Sequence, residues 1–140
     1  MTQLVLDASV AVKWFLPDAP DEANAPAACE LLIGVQKGRL TLRQPAHWRP
    51  EIAAVLARRL PPAQAAESIA DLAAIVGITI DDSPSALRLA IELSAELDHH
   101  LFDTLYHALA LDAGIPLVTA DTRYHRKAAH LGRIVLLSEL

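Results

Sequence analysis

With 140 residues, the chain has the length of one domain and enough sequence for one substantial core. Its residues are 53% hydrophobic but only 4% aromatic, so the core is expected to be built from Ala, Leu, Val and Ile, a composition suited to helices packed on a parallel sheet. Twelve Lys and Arg against 17 Asp and Glu leave a formal net charge of −5, which argues against a sequence-blind nucleic-acid coat protein but not against an enzyme that works on nucleic acid through an acidic, metal-loaded centre.

The first expected element is a short strand, Leu4-Val5-Leu6, whose unbroken apolar run reads as buried on both faces and leads straight into Asp7. A helix over 8–15 follows, stopped by the Pro- and Asp-rich loop 16–21. Residues 22–37 read as helix, regular from Pro26 on and stopped by Gly38. The alternation over 40–44 gives a second strand, and apolar residues at three- and four-residue steps give a helix over 50–60. Pro61-Pro62 break that helix before another over 63–76, Gly77 closes it, and Ile78-Thr79-Ile80 forms a third strand. Helices over 85–97 and 101–113 flank Asp98-His99-His100, and Gly114 stops the second of them. A fourth strand over 116–119, a helix over 123–131 and a fifth strand over 133–137 complete the chain. Strands alternate with helices throughout and no repeat or internal boundary interrupts them. The expected fold is a single domain over 1–140, a three-layer α/β/α sandwich on a mainly parallel five-stranded sheet with the first strand at its centre.

A single cysteine, Cys29, excludes an internal disulfide and a Cys-rich zinc site. No apolar run approaches the ~18 residues of a membrane span and no basic-then-apolar leader opens the chain, so a cytoplasmic protein without a membrane partner is expected.

Two strands end alike. The first runs into Asp7 with Ser9 two residues on; the fourth runs into Asp121 with Thr119 two residues before. Parallel strands put both ends on one edge of the sheet, where open α/β folds bind ligands. Glu51 and Asp103 lie among apolar helix residues. Each acid has a plain alternative: Asp7 and Asp121 as helix N-caps, Glu51 and Asp103 as first-turn acids that complement the helix dipole. Converging on one edge, however, four carboxylates repel unless cations neutralise them, and hard divalent ions such as Mg²⁺ or Mn²⁺ take such oxygen ligands while leaving positions for water and phosphate.

Val5-Leu6-Asp7-Ala8-Ser9, the segment 45–56 around Glu51, Phe102-Asp103-Thr104-Leu105-Tyr106-His107-Ala108-Leu109-Ala110 and Leu117-Val118-Thr119-Ala120-Asp121 occur in this order. Together, over nearly the whole chain, they resemble the PIN-domain nucleases, in particular the VapC-type toxins of bacterial toxin–antitoxin pairs. The resemblance implies an endoribonuclease in which Asp7, Glu51, Asp103 and Asp121 hold Mg²⁺ or Mn²⁺, with Asp7 and Asp103 as the most direct ligands and Ser9 and Thr119 as polar support. It also implies an RNA substrate, a homodimer, and a cognate antitoxin seated in an apolar groove, for which the Ala/Leu-rich helices over 22–76 are the candidates. Two positions depart from the family's pattern: Ala54 stands where an Asn is common and Phe102 where a Tyr is common. Neither removes a carboxylate.

Arg123, Arg126 and Lys127 follow Asp121 and could steer RNA phosphates, or could form a solvated helix face; Lys13, Arg58 and Arg59 are weaker candidates. Among the six histidines, adjacent His99 and His100 make a poor paired ligand, while His107, four residues after Asp103, is weighed as its partner against a partly exposed helix residue. His47, His125 and His130 read as structural or surface residues, and Trp14 and Phe15 as core or dimer packing. Two other functions compete. A haloacid-dehalogenase-like phosphatase also ends its first strand in Asp but needs a second Asp where Ser9 stands. A catalytically weak or inactive domain of the same fold, binding protein or RNA, would be expected to have lost a carboxylate.

Overall fold

The computed structural model describes residues 2–140. Five strands, β1 (Thr2–Leu6), β2 (Leu40–Gln44), β3 (Ile78–Ile80), β4 (Leu117–Thr119) and β5 (Ile134–Leu136), form one sheet in the order β3-β2-β1-β4-β5. Every pairing is parallel, so the sheet is wholly rather than mainly parallel. β1 is central because Leu4, Val5 and Leu6 are all buried, as a strand covered on both faces requires.

Seven α-helices, among the described residues, connect the strands: α1 (Ala8–Phe15), α2 (Ala25–Gln36), α3 (Trp48–Arg59), α4 (Pro62–Ala74), α5 (Pro84–Leu97), α6 (Leu101–Ala113) and α7 (Thr122–Ala128). Right-handed crossovers that move leftward from β1 to β2 to β3 put α1 to α4 on one face, where α1 packs on α2 and α3 and α3 on α4. Crossovers that move rightward from β3 to β4 to β5 put α5 to α7 on the other, where α6 covers β1 and β4. The direction reverses between β1 and β4. That junction is the switch point, and the carboxyl ends of its two strands open onto a crevice.

The strand register ends there. Leu6 pairs with Val118, and the Asp7 amide donates to the Val118 carbonyl at 3.0 Å. On the opposite side β2 supplies a side chain instead of backbone: the fully buried Gln44 accepts from the Leu6 amide at 2.8 Å and donates to the Leu6 carbonyl at 2.7 Å. The residue before Asp7 is thus held by an amide that continues the ladder where the β2 backbone no longer does.

Helix ends follow local chemistry. Asp7 caps α1 through the Ser9 amide, Asp121 caps α7 through the Tyr124 amide, and Ser83 caps α5 through the Ala86 amide. Gly114 ends α6 in the left-handed conformation, at φ 68°. The helix expected over 123–131 divides into α7 and a 3₁₀ turn, Ala129–Leu131. Trp14 belongs to the core, its indole N–H donating to the Ala28 carbonyl at 2.8 Å and its ring edge-on to Trp48. No helix among the described residues is long and apolar enough to cross a membrane.

Candidate functional site

Asp7, Glu51, Asp103 and Asp121 line one open cleft of about 410 Å³ above the switch point. Two come from strand ends and two from the starts of helices. α3 leaves the carboxyl end of β2, and α6 runs back toward the amino end of β4, so both helices begin at the same edge of the sheet, one on each face. All four acids are partly buried.

Each carboxylate is fixed by protein donors. Thr119 Oγ1 donates to Asp7 Oδ2 at 2.8 Å, and the Ser9 amide donates to Asp7 Oδ1 at 3.2 Å. The Asp121 amide in turn donates to Thr119 Oγ1 at 3.0 Å, while Ser9 Oγ accepts from the Ala120 amide at 3.1 Å. Ser9 and Thr119 therefore join the two strand ends, and the caps of α1 and α7 are themselves two of the acids that line the cleft. Tyr106 donates its hydroxyl to Glu51 Oε2 at 2.6 Å, and His47 Nε2 lies 3.1 Å from the same oxygen. His99 Nε2 lies 2.8 Å from Asp103 Oδ2. Glu51 Oε1, Asp103 Oδ1 and Asp121 Oδ2 take no protein donor among these bonds.

The electrostatics fit the geometry. Burial, helped by the charges of Asp103 and Glu51, raises the Asp7 carboxyl to about 6 against the Thr119 and Ser9 bonds that lower it. Burial and the Glu51 charge push Tyr106 ionisation upward, which keeps its hydroxyl a donor. Lys13, the one cation lining this cleft among the described residues, is paired with Glu22 at 3.0 Å. Arg59 pairs with Asp21 and Glu22, so neither Lys13 nor Arg59 is free for phosphate. Carboxylates gathered without cation partners, with oxygens left open, are the donor set that a hard divalent ion takes.

A raised Asp7 carboxyl has a consequence for stability. The folded state binds that proton more tightly than the unfolded chain, so the contribution is fully present below the ordinary carboxyl value of 3.8 and is lost as pH rises through about 6. Asp7→Asn keeps a capping side chain without the charge. In chelator, its thermal stability relative to the unsubstituted protein is expected to grow between pH 4 and 7, reaching about 1–2 kcal/mol after screening by cleft water. An unchanged difference across that range would refute the charge effect.

Other residues sit differently from expectation. His107 does not touch Asp103, nor is it partly exposed: it is fully buried, with Nδ1 2.9 Å from the Tyr124 hydroxyl and Nε2 2.8 Å from the Gly132 carbonyl. Burial lowers its pKa, and Nε2–H donates to the carbonyl while Nδ1 accepts from Tyr124. The histidines beside the acids are instead His47 and His99. Both precede their acid by four residues, a spacing legible in the sequence. Arg123 and Lys127 line a recess that shares Asp103 and Asp121 with the cleft; Arg126 is exposed and outside both. Ala54 is exposed, and Phe102, 58% exposed, packs its ring at a tilt against His47.

The PIN domain family model matches residues 4–130. No curated protein matches the chain in sequence. Among solved structures, a toxin–antitoxin complex from Klebsiella pneumoniae has a chain 15% identical, covering 98% of this chain and 99% of its own, with TM-score 0.67. VapC20 of Mycobacterium tuberculosis, a Sarcin-Ricin loop cleaving toxin, is 18% identical over 88% of this chain and 93% of its own, with TM-score 0.66. VapBC2 of Rickettsia felis, bound to a DNA fragment from its promoter, is 16% identical over 96% and 97%, with TM-score 0.69.

Proposed function

Because the chain belongs to the PIN-domain family, we propose that it is a Mg²⁺- or Mn²⁺-dependent endoribonuclease, the toxin of a toxin–antitoxin pair. The observation that carries this reading is the convergence of Asp7, Glu51, Asp103 and Asp121 on one cleft, with one oxygen of each of the last three left unbonded. The likeness in fold to chains from toxin–antitoxin complexes and to a toxin that cleaves the Sarcin-Ricin loop supports an antitoxin partner and the substrate class.

Asp7, Glu51, Asp103 and Asp121 would hold the cation, which when bound lowers the pKa of an attacking water and offsets charge on the leaving oxygen. The protein's own part is positioning. Thr119 and the Ser9 amide aim Asp7; Tyr106 holds one oxygen of Glu51, with His47 beside it, and leaves the other to the cleft. Arg123, exposed beside Asp103 and Asp121, would draw an RNA phosphate toward them. A homodimer that assembles with an antitoxin completes the reading. All four acidic positions are filled, which favours an active enzyme over an inactive binding module of the same fold.

The test uses protein purified free of any partner and stripped of metal. RNA cleavage is expected to be absent in chelator and restored by Mg²⁺ or Mn²⁺. Cleavage that persists at full rate in chelator overturns the mechanism.

A further inference from the structure

His99 stands where a metal-ligand reading and a positioning reading compete. One ligand atom each of His99, Asp103 and Asp121 lies within 4.8 Å of the others, a grouping that could take an ion directly. The far side of the imidazole decides between them. Lys127 Nζ sits 3.2 Å from His99 Nδ1, and an ammonium has only protons to offer, so Nδ1 accepts. An imidazole that accepts at Nδ1 carries its proton on Nε2, and Nε2 faces Asp103 Oδ2 at 2.8 Å. A nitrogen that bears a proton and donates it to a carboxylate has no lone pair for a cation.

The surroundings fix this arrangement from both ends. The His99 amide donates to the Ser94 carbonyl at the end of α5, and Ser94 Oγ donates to the His99 carbonyl. Lys127, on α7, also donates to the Asp98 carbonyl at 3.0 Å. The imidazole packs edge-on against Tyr124, 4.9 Å between centroids, and its side chain is only 8% exposed. A relay thus runs from α7 through Lys127 and His99 to one oxygen of Asp103, whose side chain is 32% exposed.

We infer that His99 is a positioning residue of the metal centre: it donates Nε2–H to Asp103 Oδ2, turns Oδ1 toward the cation, and is held in that tautomer by Lys127. The inference rests on the proposed metal site and adds to it the group that orients one of its ligands. Partners of this kind contribute roughly 10–100-fold to metal affinity. On the other helix acid the arrangement differs: His47 Nε2 lies 3.1 Å from Glu51 Oε2 but makes its hydrogen bond to the Phe102 carbonyl at 2.8 Å, and Tyr106 donates to Glu51 instead.

Glutamine can imitate both contacts, with its amide N–H toward Asp103 and its oxygen toward Lys127; leucine can make neither. Mn²⁺ affinity, read from the electron-spin signal of the free ion, is expected to fall about 10–100-fold in His99→Leu and to stay within about threefold of the unsubstituted protein in His99→Gln. Electron spin-echo spectra of the bound Mn²⁺ are expected to show no directly coordinated nitrogen. Directly coordinated imidazole nitrogen, or loss of affinity in His99→Gln, overturns the positioning role. Undiminished affinity in His99→Leu beside a loss in Asp103→Asn overturns it alone, whereas undiminished affinity in both overturns the metal site and the positioning role with it. Should His99→Leu not fold, as judged by circular dichroism of the metal-free protein, His99→Gln decides by the same criterion.

Discussion

Asp103→Asn is expected to lower RNA cleavage by about a thousandfold or more while leaving the metal-free fold intact. The substitution is nearly isosteric and keeps an oxygen for one hydrogen bond, but it removes a negative charge from a cleft whose local cation, Lys13, is already neutralised by Glu22. Weakening the electrostatic hold on the proposed cation by about 4 kcal/mol at the transition state corresponds to that thousandfold loss. Asp103 lies in the first turn of α6, where the helix dipole favours a charge, so a small loss of stability accompanies the change, on the order of 0.5 kcal/mol. Rates of cleavage under metal saturation, together with thermal unfolding in chelator, separate the two effects. Cleavage within tenfold of the unsubstituted protein would remove Asp103 from the centre.

The second large effect is expected away from the acids. Gln44→Leu fills the same volume but strips the Leu6 amide and carbonyl of their partners in the middle of the sheet. Leaving two buried backbone groups unsatisfied costs about 2–5 kcal/mol. Urea unfolding of the metal-free protein would measure it, and a loss under about 0.5 kcal/mol would mean that the backbone finds other partners. Because Leu6 directly precedes Asp7, the same change is expected to weaken Mn²⁺ binding although Gln44 does not line the cleft.

The strand ends were the most legible part of this site. Leu4-Val5-Leu6 and Leu117-Val118 are buried apolar runs cut off by a polar residue, and parallel pairing brings such ends to one edge whatever lies between them. Glu51 and Asp103 were legible as acids among apolar helix residues, and the edge they share follows from the direction in which α3 and α6 run. The histidines were less so. Spacing by four pairs Asp103 equally well with His99 and His107. What separates them is tertiary: α6 turns His107 inward under Tyr124 and Gly132, whereas the chain entering the helix folds His99 over the acid. Gln44 ends an alternating strand and looks like any polar residue at a strand terminus. Its burial depends on β2 ceasing to pair with β1 after Leu42, which no local pattern announces.

The strand order sets a schedule on the ribosome. β1, the earliest of the five strands to be made, can pair with β2 once residue 44 has emerged, yet its opposite edge stays bare until β4, ending at Thr119, is made. Thr119 is also the residue that locks Asp7, and Asp121 follows it. A nascent chain therefore carries Asp7 for most of its synthesis, joined later by Glu51 and only shortly before β4 by Asp103, without the strand that gathers them, and a truncated product that ends before β4 lacks the assembled cleft. Closing so long a loop is also slow, since contacts distant in sequence form late.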